Sequence, residues 1–149
     1  EEFESFCDKF AEFAKNEPLF SIFTATSRDF THPLLDLGFD TLFYEQALIY
    51  DSKKRFIHRS ISGVELFTLR KEDKRTMGIV DLVSNYSKHH GDFYIDEFYE
   101  YCSSMFGIKI KDEDRYKIIE TIRKCGLFYD EIMDKAYASK MDYYKDLEA

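Results

Sequence analysis

The two halves of this chain are punctuated in the same order, and that order restricts the fold more than any single motif. EEFESFCDKFAEFAKNEP, residues 1–18, sets Phe3, Phe6, Phe10 and Phe13 at intervals of three, four and three, with Cys7 and Ala14 beside them. Such spacing predicts one helix with a buried stripe, led by acidic residues and closed by Pro18. LFSIFTATS, residues 19–27, is rich in Phe, Ile and Thr and reads as a short strand. In THPLLDLGF, Pro33 suits the first turn of a short helix capped by Thr31 or His32, and Gly38 ends it. Asp40 or Thr41 caps a further helix, TLFYEQALIY, after which Phe56, Ile57 and Val64 to Leu69 form a hairpin around SISG.

The second half repeats this order. MGIVDLVSNYSKHH places Met77, Val80, Val83 and Tyr86 on one helical face and stops at Gly91. DFYI is a short strand, and DEFYEYCSSMFG is a helix with Phe98, Cys102 and Met105 inward, ending at Gly107 in the register of Gly38. KDEDRYKIIETIRKCG is a longer helix, acidic at its start and basic at its end as the helix dipole favours, with Tyr116, Ile119 and Ile122 as its inward stripe. LFYDEIMDKAYAS is a second β-ribbon, and KMDYYKDLEA is a tail or short helix. The charged segment 70–76, RKEDKRT, divides the chain into domains at 1–70 and 71–149.

With 149 residues, 15 Phe, 11 Tyr and no Trp, the chain has enough large rings to fill two small cores. Its net charge is −8, and each half contributes −4, from 8 basic and 12 acidic residues in 1–70 and 13 and 17 in 71–149. Neither half is a basic arm that would track phosphates. Three cysteines without CxxC spacing point to a reduced, cytoplasmic protein, and no apolar run is long enough to span a bilayer.

This order of elements resembles the winged helix-turn-helix fold of bacterial regulatory proteins, in which three helices pack around a small core and a β-hairpin, the wing, flanks them. The chain therefore reads as mainly α with short β-hairpins, in two tandem winged-helix-like domains. In that family the third helix commonly enters the major groove while the wing touches the DNA backbone. What the resemblance implies is transcription regulation through duplex DNA or the transcription machinery, although a fold does not carry its function with it. The first copy's third helix, DTLFYEQALIY, has Asp40 and Glu45 and no Lys or Arg, so a duplex would repel it. Candidate phosphate contacts are Lys53, Lys54, Arg55 and Arg59 around the first hairpin, and Lys109, Lys111, Arg115 and Lys117 at the second copy's longer helix. A solvated turn and an ordinary stabilised helix are the structural alternatives for those two groups.

The second ribbon is acidic and apolar and suits a protein or a sibling subunit better than DNA; Tyr129, Tyr137, Tyr143 and Tyr144 are its candidate interface residues. Nucleotide-binding glycine patterns, zinc-protease, serine-hydrolase and calcium-loop motifs are missing from the sequence, and His89-His90 lacks partners at ligand spacing. No catalytic residues, metal ligands or cofactors are assigned. Two functional readings stand: a non-enzymatic module that binds DNA or the polymerase in transcription, and a protein-protein interaction or dimerisation module with no nucleic-acid role.

Overall fold

A computed structural model describes residues 1–70 and 78–149. The charged junction lies outside the described residues except for Arg70, and so does Met77 of the first stripe in the second half. The described residues are mainly helical with two small antiparallel sheets, and they fall into two compact units. One comprises the described part of Glu1–Met77 together with Met105–Ile108; the other comprises Gly78–Ser104 and Lys109–Ala149.

In the first unit, α1 (Glu2–Ala14) buries Phe6, Cys7, Phe10 and Ala14 and leaves Phe3 exposed at its unpacked first turn. Residues 19–27 are not a strand. Phe20 makes a single antiparallel bridge to Phe67, Ser21 is extended as the helix cap, and α2 (Ile22–Ser27) follows at once. The reason is a capping box: Ser21 Oγ accepts from the Thr24 N–H at 3.2 Å while Thr24 Oγ1 accepts from the Ser21 N–H at 2.9 Å. Two satisfied backbone donors outweigh the β-preference of Ile, Phe and Thr.

Pro33 opens α3 (Pro33–Asp36), His32 caps it, and Asp40 caps α4 (Thr41–Ile49) through the Phe43 N–H. A hairpin, β1 (Phe56–Ile61) and β2 (Val64–Leu69), closes the unit. Ser62 and Gly63 both have positive φ, as a tight two-residue turn between right-twisted strands requires. The core is a stack of rings in which Phe20 lies 5.5 Å from Phe10 and 5.8 Å from Phe67.

The second unit begins with α5 (Ile79–His90), which buries Leu82, Val83 and Tyr86, while Val80 is exposed. Next come β3 (Phe93–Tyr94), α6 (Ile95–Phe106), a 3-10 turn at Asp112–Asp114 and α7 (Arg115–Lys124). The inward stripe of α7 is Ile118, Thr121 and Ile122, with Ile119 half-buried beside it; of the expected stripe Ile122 is inside, whereas Tyr116, two positions before Ile118 and so about 200° round the helix from it, is 72% exposed. Strands β4 (Phe128–Asp130) and β5 (Lys135–Tyr137) complete the sheet, and the final residues form α8 (Lys140–Glu148). Sheet order is β3-β5-β4. The Phe20 bridge places β2 centrally in the first unit, between Phe20 and β1, as β5 lies between β3 and β4 in the second.

Burial pushes the thiols of Cys7 and Cys102 up to about 12, and that of half-buried Cys125 upward as well. Among the described residues no helix is long and apolar enough to cross a membrane.

Candidate functional site

Residues 34–50, LLDLGFDTLFYEQALIY, contain three carboxylates and no basic residue. The connection between α3 and α4 is firmly held. Tyr44, buried on α4, donates its hydroxyl proton to the Leu34 carbonyl at 2.8 Å and accepts from the Phe39 N–H at 3.1 Å, so one side chain spans the turn. Gly38 sits at φ +72°, a conformation glycine adopts with least cost. His32 Nδ1 accepts from the Leu34 N–H, which leaves the ring proton on Nε2, where it meets Ser5 Oγ at 3.1 Å.

This rigid turn carries apolar side chains outward. Leu37 is 60% exposed, Phe39 49% and Leu42 60%. The Phe39 ring lies 4.4 Å from that of Phe43, tilted by 37°, and Phe43 lies 5.9 Å from exposed Phe3, so the rings form a connected face. Burial of each such side chain is worth roughly 1.5–3 kcal/mol, enough for three or four to hold a protein without charge. The sequence carried a signal for this face: two short helices cannot bury every apolar residue of LLDLGFDTLFYEQAL, because only one side of each meets the core.

The basic residues near the first hairpin are arranged differently from the expectation. Lys53, Lys54 and Arg55 precede β1 and do not lie on the hairpin itself. Asp51, 5% exposed, accepts from the Lys53 and Arg55 N–H groups and from Arg55 Nε at 2.9 Å and Nη2 at 3.0 Å. Arg55 Nη1 donates to Asp8 Oδ1 at 2.6 Å. Those hydrogen bonds hold the Arg55 guanidinium further above its ordinary range and occupy the fork a phosphate would need, which corrects its assignment as a phosphate contact. Lys53 lies 3.4 Å from Glu4. Lys54 and Arg59 are exposed, with no ion pair among the described residues.

In the second unit, Arg115 pairs with Asp134, which also accepts the Tyr129 hydroxyl proton at 2.7 Å. Arg115 is thus a structural tie, and Lys109, Lys111 and Lys117 are the exposed cations near it. Tyr129 and Tyr137 are 5% and 2% exposed. They lie on opposite faces of the sheet, Tyr129 beside Ala136 and against Arg115 and Arg123 of α7, Tyr137 beside Phe128 and against Tyr143 and Asp146 of α8, and their burial on both faces corrects their reading as interface residues. Tyr143 is half-buried, its ring 4.6 Å from Phe128, and Tyr144 alone of the four is half-exposed. His90 stacks on Tyr86 at 4.7 Å and His89 Nδ1 bonds the Asn85 carbonyl at 2.8 Å; no group of three metal-binding side chains occurs among the described residues.

No family model, curated protein or solved structure matches this chain.

Proposed function

We propose that this chain is a non-enzymatic binding module of two winged-helix-like domains in a regulatory protein, and that its first domain engages another protein through the apolar α3–α4 turn. The observation that carries this reading is the exposure of Leu37, Phe39 and Leu42 on a turn clamped by Tyr44, at the place where a DNA reader would present basic and polar side chains. The domain reading is supported by the two units having the same strand order, with the last strand of each hairpin central and the residue or pair after the first helix bridging it. Acidic net charge favours a protein over phosphates as the partner.

A DNA-binding reading retains one supporting observation: Lys54, Arg59, Lys109, Lys111 and Lys117 are exposed and carry no ion pair among the described residues. Placing a photo-crosslinking phenylalanine analogue at position 42 in the intact protein tests the choice. In the cells that make the protein, the protein-binding reading expects a discrete covalent adduct with one partner, lost when Phe39→Glu is added. Tight, salt-steep binding to mixed-sequence duplex DNA without such an adduct would overturn it.

A further inference from the structure

Beside the apolar turn, the first unit contains a concavity of about 360 Å³ walled by Phe23 of α2, Leu42 of α4 and Val64 of β2, with Phe106 and Gly107 of the same unit closing one side. Glu45 reaches into it from α4. This residue is 5% exposed, and its Oε2 accepts the Glu65 N–H at 3.0 Å, tying the helix to the hairpin. Among the described residues, Oε1 has no hydrogen-bond donor and no cation lies against the carboxylate; the charge that faces it, Glu65, has the same sign and is paired with His58 at 2.9 Å.

A glutamine at position 45 would accept the same backbone hydrogen bond without a charge to desolvate. The carboxylate is therefore costly to the fold and unexplained by it, since a buried charge ordinarily has a partner of opposite sign. We infer that this concavity receives a lysine or arginine side chain of the partner protein, with Glu45 Oε1 as its counter-ion and Phe23, Leu42 and Val64 sheathing the methylene stem. Lysine and arginine both combine an apolar stem with a charged head, and the Phe23 ring, 44% exposed, adds a face on which a cation can rest. Leu42 belongs both to this concavity and to the apolar turn, so one partner segment with a basic residue near its hydrophobic anchors would fill both. The inference rests on the protein-binding reading.

Titration of the whole protein with n-butylguanidinium chloride, followed by amide chemical shifts, tests it directly. Shifts confined to residues around 42, 45 and 64, weakened about tenfold or more in Glu45→Gln while n-butanol leaves them unmoved, are the expected result. Shifts scattered over the acidic surface, or equal in Glu45→Gln, would overturn it, and spectra of the variant report at once whether it is folded. Should the guanidinium bind at Glu45 while position 42 gives no crosslinked partner in cells, the cationic site stands and the apolar-turn reading fails.

Discussion

Asp51 and Glu45 are both almost fully buried carboxylates in the first unit, yet their surroundings act on them in opposite directions. Burial alone would raise Asp51, but the side-chain and backbone hydrogen bonds from Arg55, with that from Lys53, outweigh it and hold the carboxyl below the ordinary aspartate range. A depressed folded-state value means that Asp51 stabilises the fold above its unfolded-state value, and that this contribution is lost as pH falls through the folded-state one. Asp51→Ala leaves the Arg55 fork and two N–H groups without their acceptor and is expected to cost about 3 kcal/mol in urea unfolding at neutral pH. A cost near zero would mean that the existing Arg55–Asp8 pair is enough to hold the loop. For Glu45, burial dominates and raises the value despite the hydrogen bond from Glu65. Its charge opposes folding at neutral pH, and that opposition fades as pH falls through the raised folded-state value. Glu45→Gln is therefore expected to stabilise the protein by about 1 kcal/mol at pH 7, with the gain shrinking in acid, in paired urea titrations at the two pH values.

Among the elements, α8 is held by a few nameable contacts. Tyr137 donates its hydroxyl proton to Asp146 at 2.6 Å, Lys135 Nζ lies 3.2 Å from the same oxygen, and Tyr143 packs on Phe128 and Tyr137. The Tyr137 and Lys135 bonds hold Asp146 below the usual carboxylate range, so this attachment persists at neutral pH and weakens as pH falls through the depressed value. Asp146→Ala is expected to speed amide exchange throughout α8 while exchange in α5 and α7 stays as it was; uniform acceleration would show instead that the helix supports the whole unit. Helices with clear stops were legible in the sequence: Gly38, Gly91 and Gly107 all adopt positive φ, and Asp40 caps α4 as its position suggests. Residues 19–27 were not, because the Ser21–Thr24 capping box is worth more than the β-preference of the residues inside it. The tyrosines of the second ribbon failed for another reason, since composition says that a ring favours interfaces, whereas this sheet is covered on both faces, Tyr129 by α7 and Tyr137 by α8. Arg55 and Arg115 looked available because their carboxylate partners Asp8 and Asp134 lie 47 and 19 positions away, or, for Asp51, at a spacing that reads as ordinary loop.

On the scale of the whole molecule, a net charge of −8 and an apolar turn that has carboxylates but no basic residue lead to one expectation about solution behaviour. Duplex DNA of mixed sequence is expected to show no saturable anisotropy change at about 50 mM salt, and partner binding through the turn is expected to vary little between about 50 and about 200 mM. A loss of partner affinity of a hundredfold or more over that range would point back to the exposed lysines, as several released counterions would be needed to produce it. The distribution of thiols has a practical consequence of its own. Cys7 and Cys102 are buried and held protonated, while Cys125 is half-buried at the end of α7 with its Sγ 3.7 Å from the Val80 carbonyl. Maleimide reagents attack thiolates they can reach; burial raises the Cys125 thiol as well, which slows its labelling, but of the three it alone is partly open to solvent, so the native chain supplies a single addressable position at alkaline pH. One fluorophore can be attached at residue 125 without any engineered cysteine, and it then reports from the unit that does not carry the apolar turn.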